Sequence, residues 1–433
     1  MSSFLPPKPD HNSDVVFSNR LQKRHRNRLS SYLIVSFILC FAILGFLIYN
    51  ISDFNLSRLL SDDDDDILKL KNIISQDVVS LNEEATPAES QNFKHKSKWK
   101  SWNQTVVMIS LDGFRSEYLT RHCVPALKKL AKDGISSDMH PIFPSLTFPN
   151  HFSMVTGVYP DIHGIINNEF YDPNLKDHFM IRNPTMKDPK WWKSNPVSFC
   201  SLFLDLEHSP GARINDALTD VDNAIAFLIE ELKTRNIFEE INLIVVSDHG
   251  MTHVPSKNIV YAEDIFPLNL TFSVSYNTIS FIRPLADDCI QVFPNPVDGK
   301  EIHSKLSEYS RKHGKFKVYL KSELPSEWNY GNNDRIAPII VVCEPAYYFS
   351  SRTVSPPPLG AHGYPLPNAE MEAIFLAHGG RIRKTGQLQA PYSKFAPFSC
   401  IDLFPFVAKL LEISTPSSNA TNYLVDSLVL PLK

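Results

Sequence analysis

The stretch Thr105-Val-Val-Met-Ile-Ser-Leu-Asp-Gly113 decides the fold class of this sequence. It is a short β-branched run that ends in an acid and a glycine, and Ile241-Asn-Leu-Ile-Val-Val-Ser-Asp-His-Gly250 repeats this pattern. Between the two runs, an amphipathic helix from Ile214 is predicted by apolar residues at helical spacing: Leu218, Val221, Ile225, Leu228 and Leu232. This alternation predicts an α/β domain with a mainly parallel central sheet flanked by helices, and with ligands beyond the strand ends.

Composition limits the kinds of function that the chain can have. Of its 433 residues, 43% are apolar and 21% are charged, which is enough to bury a large core. The net charge of -4 and the lack of a basic face argue against binding of a nucleic-acid duplex. Six cysteines without any Cys-x-x-Cys pair fit neither a zinc ribbon nor a disulfide scaffold. Any phosphate chemistry must therefore come from a local site.

Residues 32–49 form an apolar run without charge, which is near the minimum length for a transmembrane helix. Basic residues precede the run and the acidic residues 62–66 follow it, so the positive-inside rule predicts a cytoplasmic tail at 1–31 and a single-pass type II protein. A cleaved signal peptide is the alternative, but the long polar leader and the lack of an Ala-x-Ala-like site argue against it. Residues 50–103 are polar and predict a stalk. The domain at 104–433 would then lie outside the cell, or in the lumen of the secretory pathway or vacuole.

Four glycosylation sequons follow the apolar run, at Asn55, Asn103, Asn269 and Asn419. Sequons are short and also occur by chance. Their position agrees with the predicted topology.

Four residues with metal-binding side chains stand at strand ends or in loops: Asp112, Asp248, His249 and His362. Either aspartate alone could equally cap a helix or close a turn, and a lone histidine is more often a surface or core residue. Taken together, the four predict a divalent metal site, and the mixture of carboxylate and imidazole favours zinc.

Thr147 lies in the segment Phe143-Pro-Ser-Leu-Thr-Phe-Pro-Asn-His151 and is the candidate nucleophile. A threonine hydroxyl becomes a good nucleophile when a metal stabilises its alkoxide. The prolines restrict the backbone on both sides, and residues 150–156 can start a helix whose N-terminal amides would favour a phosphoryl group. The alternative is a proline-rich turn that only leads into a helix.

The motifs and their order resemble the nucleotide pyrophosphatase/phosphodiesterases, or type I phosphodiesterases, of the alkaline phosphatase superfamily. The motifs that carry the resemblance are Asp112-Gly-Phe-Arg115, the Thr147 segment, Thr156-Gly-Val-Tyr-Pro-Asp-Ile-His-Gly-Ile-Ile166, Ser247-Asp-His-Gly-Met251 and Ala361-His-Gly-Tyr364. The resemblance runs from about residue 104 to the C-terminus and implies an alkaline-phosphatase-like fold. Family members often carry one N-terminal membrane helix.

The resemblance implies two zinc ions. The ligands of the first would be Asp112, Asp248, His249 and the Thr147 hydroxyl, and His362 would bind the second. Asn168 would hydrogen-bond a phosphoryl oxygen, and the Phe148 ring would stack on a nucleotide base.

The implied reaction is in-line attack by Thr147 on a phosphodiester or pyrophosphate of a nucleotide or nucleoside triphosphate. A phosphothreonine would form and then be hydrolysed, and a nucleoside monophosphate would be released.

The sequence departs from the family pattern near residues 195–205. The family has a Glu-Pro-Ile-Trp stretch and then an Asp-x-x-x-His element that supplies the other ligands of the second zinc, and neither is found here. Trp191-Trp192 is followed shortly by Ser201-Leu-Phe-Leu-Asp-Leu-Glu-His208 and then by the predicted helix. Asp205 and His208 could replace the lost ligands, although they are three residues apart instead of four, or they could belong to a surface connection. The missing stretch would also supply the second aromatic residue that contacts the base.

Three interpretations follow: an active enzyme with an altered second zinc site, a catalytically impaired membrane-anchored binding protein, or an incomplete splice or gene-model form. A sulfatase is disfavoured because no Cys/Ser-x-Pro-x-Arg motif surrounds Thr147. A phosphomonoesterase would need additional cationic contacts that the sequence does not provide.

Overall fold

The computed structural model describes residues 104–181, 184–192, 203–205, 212–266, 272–274, 277–284, 299–354, 357–384 and 394–432. Within these ranges, no helix combines the length and apolarity needed to cross a bilayer. The predicted tail, membrane segment and stalk at 1–103 lie outside the described residues, as do Asn55, Asn103, Asn269 and His208.

The described residues contain strands and helices in alternation. The strands are β1 (Val106–Asp112), β2 (Ile135–His140), β3 (Glu169–Asp172), β4 (Asp177–Met180), β5 (Phe203–Asp205), β6 (Asn242–Val246), β7 (Thr252–His253), β8 (Ile259–Tyr261), β9 (Phe272–Val274), β10 (Ile279–Pro284), β11 (Phe316–Leu320), β12 (Ile339–Cys343), β13 (Tyr348–Ser350), β14 (Gly360–Ala361), β15 (Ala373–Gly379) and β16 (Phe398–Ser399). The helices are α1 (Pro125–Asp133), α2 (Thr147–Thr156), α3 (Pro160–His163), α4 (Ala212–Thr234), α5 (Gly299–His313), α6 (Leu403–Leu411) and α7 (Tyr423–Leu428).

The central sheet has the strand order β16-β2-β15-β6-β1-β5. Strand β1 pairs in parallel with both β6 and β5, while β15 runs antiparallel to both of its neighbours. The other five strands therefore share one direction, and the expectation of a mainly parallel sheet holds with β15 as the exception. The parallel register of β1 and β6 brings their carboxyl ends to the same edge of the sheet.

The core forms where helices cover this sheet. Ile244 of β6 and Phe375 of β15 pack in one apolar cluster with Phe406 of α6 and Leu424 of α7. Elsewhere, the buried Asp222 of α4 accepts hydrogen bonds from the first backbone N–H groups of α1, which stabilises that helix end.

A second, antiparallel sheet has the order β11-β12-β10-β9 and packs against α5 through Ile302 and Leu306. Its importance for the site lies in the turn before β10. There the Thr278 hydroxyl donates to the carbonyl of His362, and so ties the His362 loop to this sheet.

Candidate active site

The carboxyl ends of β1 and β6 bring together three metal-binding side chains. Asp112 is the last residue of β1, and Asp248 and His249 follow closely after β6. One ligand atom from each of the three lies within 4.8 Å of the others. His249 Nε2 lies 2.9 Å from Asp248 Oδ2 and 3.5 Å from Asp112 Oδ1. These three residues therefore form a group that could hold one metal ion.

The fully buried carboxylate of Asp248 fits a metal ligand. Its Oδ1 accepts the Gly113 N–H at 3.0 Å, whereas its Oδ2 is buried without a hydrogen bond. Burial alone would raise the pKa of Asp248, but the Gly113 N–H and, when they are protonated, the imidazoles of His249 and His151 outweigh burial and hold the pKa below its ordinary value. A buried anion with an unsatisfied oxygen needs a compensating cation, and a hard carboxylate oxygen suits a divalent one.

The tautomer of His249 is set by its neighbour. Its Nδ1 lies 2.8 Å from the carbonyl oxygen of Gly250, and because a carbonyl only accepts, Nδ1 must carry the proton. The lone pair of Nε2 then faces Asp112, Asp248 and Thr147, which is the arrangement a metal-binding histidine requires. Gly250 must be a glycine, since a Cβ there would lie 2.0 Å from the carbonyl oxygen of Glu370.

Thr147 faces this group from the first turn of α2. Its Oγ1 lies 3.2 Å from His249 Nε2, and the side chain is nearly buried. The sequence predicted a helix from residue 150, whereas the helix begins at Thr147. This difference arises because Pro149 stands in the first turn, where its missing N–H has no partner to lose. The side chain of Asn150 fixes the preceding loop by accepting from Ile142 N and donating to two loop carbonyls.

His151 was part of the quoted motif, but sequence reasoning gave it no role. Its Nδ1 donates to the Thr147 carbonyl at 2.9 Å, and its Nε2 is 2.8 Å from the Ser110 hydroxyl, which must then be the donor. Burial lowers the pKa of His151 in spite of the opposing effect of Asp248. A neutral His151 thus connects β1 to the backbone of the predicted nucleophile. A histidine four residues after Thr147, and so one helical turn away, was the available signal.

His362 lies against His249. Their rings stack with centroids 3.7 Å apart and an interplanar angle of 12°, and His362 Nδ1 lies 3.1 Å from the Ser145 carbonyl oxygen. Within the ranges that the structure describes, Asp112, Asp248 and His249 form the only group of three or more potential metal ligands. Asp205 pairs by its backbone with Asp112 across the β5–β1 ladder, at the same edge of the sheet.

Asn168 and Phe148 interact directly. Asn168 Oδ1 accepts the backbone N–H of Phe148 at 3.0 Å, so the Nδ2 end of the amide is directed away from that N–H. The centroid of the half-buried Phe148 ring lies 5.7 Å from that of Phe179 and 6.1 Å from that of Trp192. Nothing in the local sequence around Trp192 indicates that its side chain reaches α2.

Comparison with known proteins identifies relatives of this chain. The model of the family described as type I phosphodiesterase/nucleotide pyrophosphatase matches residues 106–204 and 205–365. The two matched stretches meet between residues 204 and 205, in the region 195–205 where the sequence predicts a departure from the family pattern.

Curated relatives come from fungi and vertebrates. An uncharacterized pyrophosphatase/phosphodiesterase of Schizosaccharomyces pombe is 29% identical over 398 residues, which cover 74% of this chain and 79% of the relative. A bis(5'-adenosyl)-triphosphatase of Xenopus laevis is 26% identical, with 73% and 79% covered. The mouse ectonucleotide pyrophosphatase/phosphodiesterase family member 3 is 30% identical, with 75% of this chain and 44% of the relative covered.

Among solved structures, an inactive variant of murine ectonucleotide pyrophosphatase/phosphodiesterase 5 in complex with AMP has the same fold. The TM-score is 0.65 at 23% identity, and the match covers 75% of this chain and 99% of that one. The variant carries alanine in place of one threonine.

Proposed function

The chain belongs to the type I phosphodiesterase/nucleotide pyrophosphatase family, and from this premise we propose that it hydrolyses nucleotides and nucleoside triphosphates to nucleoside monophosphates through a phosphothreonine at Thr147. Its relatives are named as pyrophosphatases and phosphodiesterases, and the chain is an enzyme of that class. One observation carries the proposal of mechanism: Thr147 Oγ1 lies 3.2 Å from His249 Nε2, beside Asp112 and Asp248.

Asp112, Asp248 and His249 would hold the first metal ion, which we propose to be zinc because carboxylate and imidazole ligands suit it. A zinc ion held there would supply positive charge beside the Thr147 oxygen and the phosphoryl oxygens, which favours loss of the hydroxyl proton. His362 would contribute to a second site, for which Asp205 is a candidate because of its backbone position beside Asp112.

The residues of the chain would then act in two steps. Thr147 Oγ bonds to phosphorus while the bond from phosphorus to the leaving group breaks, and the proton that Oγ loses ends on the departing oxygen or in solvent. In the second step water attacks phosphorus, and Oγ departs and regains a proton. Asn168 Nδ2 would donate to a non-bridging oxygen during both steps, because its Oδ1 is already occupied by Phe148 N–H.

A nucleotide would place its base on the Phe148 ring. AMP in the related murine structure supports a nucleoside monophosphate as the product that remains bound. The contacts of Phe148 with Phe179 and Trp192 would support the ring in this position.

A catalytically impaired binding protein is the second candidate function. It is favoured by one observation, namely that three potential ligands gather at the first site, whereas the described residues form no second group of three. An incomplete splice or gene-model form would show the same incomplete set of ligands at the second site. The joint retention of Thr147 and the first ligand group favours the active enzyme.

We also propose that the enzyme is a type II membrane glycoprotein anchored through residues 32–49, with its catalytic domain outside the cytoplasm. The charge difference across the apolar run supports this topology, and the sequons agree with it.

The test is hydrolysis of a nitrophenyl ester of a nucleoside monophosphate by the full chain at saturating zinc. Thr147→Ala should lower kcat by about 10³-fold or more, since it removes the nucleophile. Thr156→Ala is the matched control, because it removes the same hydroxyl from the far end of α2, where it donates to the Phe152 carbonyl. Acid quenching during turnover should trap a phosphate on the Thr147 peptide, detectable by mass spectrometry.

Undetectable turnover by the zinc-loaded wild-type chain would overturn the proposal that the chain is an active enzyme. The impaired binding protein would then be the remaining candidate function. Transcript reads across residues 195–205 would identify an incomplete form through an additional in-frame exon.

A further inference from the structure

A large groove lies beside the C-terminal end of α2, and none of the proposed catalytic residues lines it. Its volume is about 1090 Å³, and it runs between residues 159–162 and the loops at 320–338. Asn419, the one predicted glycosylation site that falls within the described ranges, lines this groove and is exposed.

Hydrogen bonds fix the position of Asn419. Its backbone N–H donates to the Gly157 carbonyl at 2.9 Å, and Gly157 is the C-cap of α2. Two residues later, the N–H and hydroxyl of Thr421 both donate to Asp402 Oδ1, at 2.7 and 3.0 Å. A group attached to Asn419 therefore starts from a defined point at the groove.

The groove suits a neutral ligand with both apolar and hydroxyl surfaces. Ile162 is 60% exposed, which is unusual for so large an apolar side chain. Hydroxyl and amide side chains also line the groove, namely Ser322, Ser326, Asn329 and Asn332. Three of the four charged side chains at the groove are already engaged, since Asp161 accepts two backbone N–H groups, Arg283 donates to three carbonyls and Lys321 donates to the Asn333 carbonyl. The fourth, Asp334, is exposed to solvent. A pyranose ring, with apolar C–H faces and equatorial hydroxyls, matches this surface.

We propose that the groove holds the first sugars of an N-linked glycan on Asn419, and that the glycan packs on Ile162. The proposal depends on the topology proposed above, but not on the catalytic activity. The glycan would connect the segment after α2 to the 320–338 loops, and so stabilise the helix that begins at Thr147.

The test uses the full chain produced in a secretory host. Mass spectrometry should find sugar on Asn419. Asn419→Gln should lower the melting temperature by about 2 °C or more, whereas Asn55→Gln in the stalk should leave it unchanged. In an Ile162→Ser background, Asn419→Gln should have little further effect, because the contact has already been removed.

A second measurement avoids substitution. Endoglycosidase treatment of the folded wild-type chain should release the Asn419 glycan more slowly than the Asn55 glycan. Equal melting-temperature shifts for Asn419→Gln in both backgrounds would overturn the proposal and leave the groove to another occupant. An unmodified Asn419 beside glycosylated Asn55 would also overturn it. If no sequon carried sugar, the topology would fail as well, while the Thr147 result would stand independently.

Discussion

Asn168 accepts the backbone N–H of Phe148 at 3.0 Å, so that one amide side chain both stabilises the N-terminus of α2 and directs its NH₂ group away from it. These two functions can be separated experimentally. Asn168→Asp keeps the acceptor and adds a negative charge that a helix N-terminus favours, so the melting temperature should be unchanged. The lost donor and the repulsion of the phosphoryl group should lower kcat/KM by about 10²-fold or more.

Asn168→Ala is the companion variant, and it should lower both the melting temperature and kcat/KM, measured with the same nitrophenyl ester. Wild-type kcat/KM in Asn168→Asp would show that the side chain has only a structural role.

Removal of metal should destabilise the wild-type chain because the buried Asp248 carboxylate loses its counter-ion. At a zinc concentration about 100 times the dissociation constant, binding adds about 2.7 kcal/mol to the free energy of unfolding. Thermal melting with chelator and with added zinc measures the difference. Asp248→Asn should greatly reduce this difference between melting with chelator and melting with zinc. Metal analysis of the wild-type chain should find one tightly held zinc per chain.

Two tightly held zinc ions per chain would contradict a weakened second site. In that case Asp205→Asn should remove one of them, which would identify Asp205 as a ligand that compensates for the missing family element.

Loss of the buried Arg335–Asp172 ion pair should destabilise the domain strongly. The side chains are 6% and 3% exposed, and Arg335 Nε donates to Asp172 Oδ2 at 2.7 Å. Arg335→Met leaves a buried charge without its partner, which should cost about 3–5 kcal/mol in urea denaturation. Arg352→Met is the control, since the Arg352–Asp264 pair is half exposed and should contribute less than about 1 kcal/mol.

Adding Asp172→Asn to Arg335→Met should recover part of the lost stability. No recovery would mean that Arg335 acts mainly through the Gly164 and Trp191 carbonyls, to which it also donates.

The His140–Glu372 pair should make stability depend on pH. The hydrogen bond to Glu372, at 2.7 Å, raises the pKa of His140 above its ordinary value of 6.5. Protonated His140 therefore stabilises the folded state fully below pH 6.5, and this contribution is lost as pH rises through the raised pKa. The difference in unfolding free energy between wild type and His140→Gln should shrink between pH 6 and 9. It should stay below about 1 kcal/mol because solvent screens the pair.

Glu372→Gln supplies the control, since His140→Gln in that background should show no such trend with pH. A trend that persisted there would assign the effect to another group.

The sequence predicted β1, β6 and α4, because short continuous stretches of residues determine these elements. The two β-branched runs became β1 and β6, and their parallel pairing explains why Asp112 and Asp248 meet. The predicted helix from Ile214 lies within α4. The direction of β15 could not be predicted, because a fully buried strand such as Ala373–Gly379 is apolar except for His378 and its partners come from distant parts of the chain.

Long-range contacts determine the rest of the site. The connection from Ser110 through His151 to Thr147 spans β1 and α2, and the contact of Trp192 with Phe148 depends on how loops pack. The role of Ser247 also depends on long-range contacts that the local sequence does not show. Its buried hydroxyl donates to the Phe114 carbonyl and accepts the Ile374 N–H, and so joins three segments, yet in the sequence it is only the residue before Asp248.

Strand β5 is attached to the sheet by a single ladder, to β1, and occupies the border of the sheet next to the altered region. The nucleophile and the first ligand group come from interior strands and α2, so they do not depend on what this border carries. A segment gained or lost at this border would therefore leave the nucleophile and the first ligand group in place, and would act on the second metal site and on the contacts with the base. For protein engineering, the same border is a natural point at which to insert a segment.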